Sequence, residues 1–162
     1  MPENQSPFKR LPLDKSKRQT VCACLRETLP VLTDLGLAAK QIHWNIVGAH
    51  FLSVHVKLDE VVEIARDSAD VVAERMVQLG ESPDGRAPTV AANGKLSADL
   101  PDSFMSVDDG LKAIGDRLKS TSDQLRHAIN GVGDDPLTED LLISMAQDVE
   151  KQLWMFQALE AK

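Results

Sequence analysis

The sequence has no tyrosine, only two cysteines and few aromatic residues, and it lacks any apolar run of the length that a membrane span requires. A transmembrane helix needs about 20 consecutive apolar residues, so we expect no segment that crosses a membrane. The first 18 residues lack the apolar stretch of a secretory signal peptide. Cys22 and Cys24 lie too close together for an easy disulfide within one helix. These absences predict a protein of the reducing cytoplasm.

The charge is acidic overall but uneven along the chain. The formal net charge is -7, which disfavours a generic nucleic-acid binder and favours cation handling or simple solubility. Basic residues nevertheless crowd the first 18 positions. The candidates for DNA contact are Lys9, Arg10, Lys15, Lys17 and Arg18. We predict a flexible basic N-terminal arm over residues 1–17 and one folded domain over residues 18–162.

Apolar residues recur at helical spacing in four long stretches, and no convincing alternating strand pattern is present. They predict helices over residues 14–47, 51–79 and 107–131, and a fourth that starts at the N-cap and first-turn pair Asp135-Pro136. Pro30 lies inside the first helix and should kink it or split it. A crossover of about 25 residues joins two helical hairpins, which is typical of a ferritin-like four-helix bundle. The predicted fold class is therefore all-α.

Histidine and carboxylate side chains share one face of the second predicted helix. His55 and Asp59 lie one turn apart, as do Asp70 and Glu74, and all four fall within a sector of roughly 100°. The two pairs are separated by about 16 Å along the helix axis, whereas metal–ligand bonds are about 2 Å long. Two interpretations remain open. The pairs are unrelated polar patches, or they are halves of a site that a second chain completes across a two-fold axis.

The candidate ligands are chemically suited to iron. His43, near the end of the first helix, could complete the imidazole half of such a site. Two imidazoles with three carboxylates and no thiolate suit iron or a similar divalent metal better than structural zinc. The Glu-x-x-His signature of a di-iron site in the bundle centre is absent. One His–acid pair is usually an ordinary surface feature, but two pairs in phase near His43 favour a functional site.

The order and spacing of these residues closely resemble the Dps family (DNA-binding proteins from starved cells). The matching residues are His43, Trp44, Asn45, Gly48, Phe51, His55, Asp59, Asp70 and Glu74, with Glu150, Lys151 and Trp154 in the last helix. The resemblance extends from about residue 18 to residue 160. It implies a ferritin-like bundle with a short extra helix in the crossover, assembled as a hollow homododecamer.

The resemblance also implies an activity. Members of the family oxidise ferrous iron at di-iron sites on subunit two-folds, preferentially with hydrogen peroxide, and store ferric mineral inside the shell. In this sequence, one subunit would supply His43, His55 and Asp59, and its neighbour would supply Asp70 and Glu74.

Other residues match less specific features. Asp135 and Asp140 resemble acidic residues that line iron-entry pores in the family, and the alternative is that they cap and complement the positive end of the fourth helix. Trp44 and Trp154 are candidates for trapping stray oxidising equivalents, with ordinary packing as the alternative.

The remaining histidines and the cysteines are expected to be structural. We expect His50 in a turn or cap and His127 on a solvated helix face. Cys22 and Cys24 should pack in the first helix, with a redox role as the alternative.

The sequence thus predicts a cytoplasmic ferroxidase and iron-storage protein that protects against oxidative damage. One rival hypothesis is a DNA-binding, nucleoid-compacting protein in which iron oxidation is secondary. Another is a structural bundle with no competent metal site. Iron loading with peroxide consumption separates the first hypothesis from the last, and salt-sensitive DNA retardation tests the second.

Overall fold

Five α-helices and two very short β-strands make up the part of the chain that the computed structural model describes, residues 6–161. In chain order they are α1 (Lys15–Asn45), β1 (Ile46–Val47), α2 (Phe51–Gln78), α3 (Ala87–Asn93), β2 (Met105–Ser106), α4 (Val107–Gly131) and α5 (Pro136–Glu160). The four long helices form a bundle, and α3 lies in the crossover between α2 and α4. The predicted all-α bundle with a short extra helix is confirmed.

The bundle consists of two helical hairpins that pack against each other. α1 packs along α2 and α4 packs along α5, while α1 also contacts α4 and α2 also contacts α5. β1 pairs in parallel with β2, which aligns Ile46 with Met105. The end of α1 and the start of α4 therefore lie at the same end of the bundle, and the crossover must run along its length.

The core consists of large apolar side chains from all four long helices. Those that are almost fully buried include Leu25, Leu32, Ile42, Leu58, Met76, Ile114, Leu118, Leu125 and Phe156. Each buried side chain of this size contributes about 1.5–3 kcal/mol relative to an exposed one. None of the helices within residues 6–161 combines the length and the hydropathy that crossing a bilayer requires.

α1 continues through Pro30 as a single helix, so the predicted split does not occur. Proline removes one backbone hydrogen bond and crowds the preceding turn. Buried apolar residues continue on both sides of it, with Leu25 and Leu29 before and Leu32 and Leu35 after. The packing of one continuous face outweighs the local cost of the proline.

The ends of the helices follow local chemistry only in part. Asp14 caps α1 by accepting a hydrogen bond from the backbone N–H of Lys17 at 2.9 Å, and Ser106 caps α4 in the same way. His50 occupies the N-cap position of α2 with φ +64° and makes no capping hydrogen bond with its side chain. Asp135 occupies the predicted N-cap position of α5, but its carboxylate makes no capping hydrogen bond either.

Asp34 of α1 holds the crossover against the bundle. Its buried carboxylate accepts hydrogen bonds from the backbone N–H of Leu96 at 2.6 Å and of Ser97 at 3.1 Å, and from the Ser97 hydroxyl. Gly94 lies against the same side chain, and a Cβ there would stand 2.5 Å from the Cβ of Asp34. This close approach requires glycine, and it fixes the crossover where it passes α1.

Candidate metal centre

Two imidazole rings meet where the end of α1 contacts the start of α2. The ring centroids of His43 and His55 are 3.6 Å apart, and their planes are inclined by 23°. Phe51, the first residue of α2, contacts His55 with its ring tilted by 37°, and the two ring centroids are 4.8 Å apart. His43 is 6% exposed, so its ring is held almost entirely by the protein.

Each histidine donates a hydrogen bond to the backbone of the other. Nδ1 of His43 lies 2.9 Å from the carbonyl oxygen of His55, and Nδ1 of His55 lies 3.0 Å from the carbonyl oxygen of His43. A carbonyl oxygen can only accept, so both Nδ1 atoms carry the hydrogen. In the neutral rings both Nε2 atoms are then unprotonated, which is the state that a metal ion requires.

The position of these rings at the end of α1 explains why the arrangement forms. The last four carbonyls of a helix have no partner within it, and the final capping bond runs from the N–H of Ile46 to the carbonyl of Ile42. The carbonyl of His43 is therefore available to His55. The same helix end carries partial negative charge, which favours a cation nearby.

Asp59 faces the imidazoles from the next turn of α2. Its Oδ1 lies 3.4 Å from Nδ1 of His43 and accepts a hydrogen bond from Nζ of Lys40. That hydrogen bond is the main reason why the pKa of Asp59 is lowered, and the positive charge of Lys40 lowers it further against the opposing effect of desolvation. Asp59 is thus held as an anion beside the two imidazole rings.

Lys40 belongs to this group, and sequence reasoning missed it. Its Nζ lies 3.5 Å from Nε2 of His43 in addition to its bond with Asp59. Lys40 precedes His43 by three residues, so the two side chains lie on one face of α1. That spacing is the signal that could have identified it.

Asp70 and Glu74 lie on the exposed face of α2, well beyond Asp59. The distance from Asp59 to Asp70 is about 16 Å along a helix that rises about 1.5 Å per residue. Among residues 6–161 of one chain, no group of three or more His, Cys, Asp and Glu side chains is arranged to hold a metal ion. The chain brings His43 and His55 together with Asp59, but not with the second acidic pair.

Exposed apolar side chains lie at the same end of the bundle as the histidine pair. Trp44 and Leu52 are 66% and 69% exposed, and Val47, Phe51 and Val56 are exposed as well. Clustered apolar groups on a surface commonly mark an interaction site. The histidine pair therefore borders a surface suited to contact with another protein surface.

Asp135 and Asp140 differ in their surroundings. Asp140 is exposed, whereas Asp135 is 3% exposed and accepts a hydrogen bond from the guanidinium of Arg75 at 2.9 Å. Thr138 bridges the pair by donating to Asp135 and accepting from Nε of Arg75 at 2.8 Å. Burial alone would raise the pKa of Asp135, but the hydrogen bonds from Thr138 and Arg75 lower it overall.

The tryptophans and cysteines occupy contrasting environments. Trp154, like Trp44, is largely exposed, so neither tryptophan packs in the core of its own chain. Cys22 is buried and Cys24 is half-buried, and both are free thiols. Burial raises the pKa of both thiols, that of Cys22 to about 11 with a further contribution from Glu81. A raised pKa makes the thiolate scarce, which disfavours a redox role.

The described part of the basic arm lies against the C-terminal end of α2. Gly80 has φ +83°, and a Cβ at this position would stand 2.6 Å from Oγ of Ser6 and 2.8 Å from a methyl carbon of Leu11. Lys9 and Arg10 are exposed on this segment. Residues 1–5 of the predicted arm lie outside the described residues.

The other basic candidates belong to α1. Lys15 and Lys17 are exposed in its first turn. Arg18 donates a hydrogen bond to the carbonyl of Leu79 at 3.3 Å. Its guanidinium therefore helps to join α1 to the end of α2.

Comparisons of sequence and of structure lead to the same group of relatives. Residues 23–162 match the ferritin-like domain family. The chain is 34% identical over 148 residues to the DNA protection during starvation protein of Agrobacterium fabrum, across 90% of this chain and 91% of that protein. Dps from Microbacterium arborescens in the high iron form superposes with a TM-score of 0.88 at 32% identity, across 94% of this chain and 100% of that one. Dps from Mycobacterium smegmatis superposes with a TM-score of 0.87 at 32% identity, across 94% and 93% of the two chains.

Proposed function

This chain belongs to the Dps family of ferritin-like proteins, and we propose on that basis that it oxidises ferrous iron at di-iron sites shared between two subunits. Hydrogen peroxide is the preferred oxidant, and the ferric product is stored as mineral inside a hollow homododecamer in the cytoplasm. The observation that carries this proposal is the pair of His43 and His55. Both Nδ1 atoms are engaged by backbone carbonyls, which leaves both Nε2 atoms for metal.

The donor set fits iron as a substrate. Imidazole nitrogen binds ferrous iron well, and carboxylate oxygen holds the harder ferric product. His43, His55 and Asp59 supply two nitrogens and one carboxylate from one subunit. Asp70 and Glu74 of the partner subunit would add two more carboxylates.

The inter-subunit arrangement is supported by distance and by surface chemistry. A single straight α2 keeps Asp59 and Asp70 about 16 Å apart. A two-fold axis near the middle of α2 would place the His55 end of one copy against the Glu74 end of the other. The exposed apolar side chains of Trp44 and Leu52 beside the histidine pair suit burial in such a contact.

The chemistry of peroxide gives a reason for pairing the irons. One ferrous ion transfers a single electron to hydrogen peroxide, which breaks the O–O bond into hydroxide and a hydroxyl radical. Two ferrous ions held together transfer two electrons, and with two protons both oxygens leave as water while both irons become ferric. Carboxylates can bridge and stabilise the ferric pair. The reaction removes iron and peroxide together, and it thereby protects against oxidative damage.

Binding to DNA as a nucleoid-compacting protein is the alternative function. The Agrobacterium fabrum relative is named for DNA protection, but removal of peroxide and free iron protects DNA without contact. Phosphate binding needs clustered cations, whereas the chain is acidic overall and Arg18 is engaged with the end of α2. We therefore expect weak or no DNA binding.

Anaerobic loading with ferrous iron followed by addition of peroxide tests the proposed activity. We expect about two irons oxidised per peroxide and little hydroxyl radical in a spin-trap assay. His55→Ala should lose this behaviour, and the matched control His127→Ala, at an exposed position of α4, should retain it. Spin-trap signals from the wild-type protein as strong as those from free iron would refute the proposal.

A further inference from the structure

We propose that Lys40 acts as an internal counter-cation that keeps weakly binding cations such as Mg²⁺ out of the empty iron site. The inference rests on the proposed function, because it concerns the same group of His43, His55 and Asp59. It assigns to Lys40 a role in metal specificity and not in the chemistry of oxidation.

The position of the ammonium group carries this inference. Nζ of Lys40 donates to Oδ1 of Asp59 and lies 3.5 Å from Nε2 of His43. That Nε2 is the unprotonated nitrogen, since Nδ1 donates to a backbone carbonyl. The ammonium thus contacts one nitrogen and one oxygen that a bound metal would also use. A metal that binds both atoms must take the place of the ammonium.

The lysine can be displaced without any change in the backbone. Its side chain is 24% exposed, and its flexible four-carbon stem can move the ammonium towards solvent. Displacement therefore costs mainly the ion pair with Asp59. Any incoming cation must offset that loss through its own bonds to the site.

The ligand preferences of the metals determine which of them can do so. Mg²⁺ prefers oxygen ligands, sheds its water reluctantly and gains little from imidazole. Ferrous iron gains bonds to the imidazole nitrogens of His43 and His55 as well as to carboxylate. With Lys40 present, a weak cation rarely occupies the carboxylate. The affinity for iron then depends little on the Mg²⁺ concentration.

Binding of Co²⁺ to the full assembled protein provides the test, because its visible absorption reports coordination without any turnover. Lys40→Met keeps the length of the side chain and removes the charge. Lys119→Met is the matched control, since Lys119 forms an exposed ion pair with Asp123 on α4. Lys40→Gln repeats the test with a polar uncharged side chain if methionine impairs folding.

The expected result is a selective gain in both affinity and Mg²⁺ sensitivity. Removing one positive charge about 5 Å from a divalent ion should tighten Co²⁺ binding on the order of tenfold in both Lys40 variants. Millimolar Mg²⁺ should then weaken Co²⁺ binding several-fold in the Lys40 variants. In the wild-type protein and in Lys119→Met the effect should be less than about twofold, because Lys40 is present in both and competes with Mg²⁺ for the site.

Two other outcomes would overturn the inference, and His55→Ala distinguishes them. If His55→Ala abolishes Co²⁺ binding while the Lys40 variants match the wild type in affinity and Mg²⁺ response, the role of Lys40 is refuted and the proposed site stands. If His55→Ala binds Co²⁺ as the wild type does, the metal binds elsewhere. In that case both the proposed function and this inference fail.

Discussion

Replacement of Arg75 by methionine should destabilise the folded protein by about 3–5 kcal/mol, the usual cost of leaving one partner of a buried ion pair alone. The side chains of Arg75 and Asp135 are 8% and 4% exposed. The substitution removes a charge-assisted hydrogen bond of 2.9 Å to Asp135 and a second of 2.8 Å to Thr138. The carboxylate of Asp135 would remain buried with only neutral hydrogen-bond donors, such as the Thr138 hydroxyl, to stabilise it. Desolvation without a counter-charge accounts for most of the loss.

The pKa of Asp135 gives this prediction a second, pH-dependent test. Its pKa is lowered in the folded protein, so the pair stabilises the fold fully above the carboxyl's unfolded value of about 3.9. That contribution is lost as the pH falls through the lower folded value. The difference in unfolding free energy between wild type and Arg75→Met should therefore be complete at neutral pH and should shrink below about pH 4.

Urea unfolding followed by circular dichroism, at one fixed protein concentration, measures the effect. Arg126→Met is the matched control, because Arg126 pairs with Glu150 at the surface, with side chains 63% and 35% exposed. We expect the control to lose less than about 1 kcal/mol. Equal losses from the two substitutions would refute the reasoning that burial of the Arg75–Asp135 pair determines its importance.

Three further predictions concern the basic arm and Cys22. Full-length protein should not retard DNA at physiological salt, and retardation that disappears on deletion of residues 1–13 would contradict this expectation. Gly80→Ala should speed trypsin cleavage of the arm, because the added Cβ would collide with the arm and φ at this position is positive. Gly85→Ala is the control and should not change the rate of cleavage, because the space around Gly85 is open. Equal rates in the two variants would show that the arm is not held at Gly80. Cys22 should react with iodoacetamide at pH 8 far more slowly than free cysteine, since its pKa is raised to about 11. Mass spectrometry measures the rate of alkylation. A rate equal to that of free cysteine would contradict this prediction.

The periodicity of α2 predicted which of its residues share a face, but not which residues of α1 meet them. A helical pattern places His55 and Asp59 one turn apart regardless of the neighbouring chain. The stacking of His43 on His55, and their exchange of hydrogen bonds with each other's carbonyls, depends on how the two helices pack at the end of α1. The sequence alone does not indicate a role for Lys40, because lysine at a helical position is common and its partner, Asp59, belongs to another helix.

Tertiary contacts also explain the other differences from expectation. The proline that follows Asp135 predicts it as an N-cap residue, but its carboxylate binds Arg75, which lies 60 residues earlier in the chain. Pro30 predicted a kink or a break from local sterics alone, whereas burial on both sides keeps α1 continuous. The pairing of β1 with β2 involves two residues on each strand, too few to produce an alternating pattern.

The most direct test of the central claim, an iron site shared by two subunits, is recovery of activity by mixing two inactive variants. One variant carries His55→Ala and Asp59→Ala, and the other carries Asp70→Ala and Glu74→Ala. Both variants are unfolded, combined in equal amounts and refolded. If two-fold pairs then form at random, half of the pairs contain one chain of each variant, and one of the two sites in each such pair is intact. About a quarter of all sites should then recover rapid oxidation of ferrous iron by peroxide. No recovery, in assemblies shown to contain both chains, would contradict the shared site.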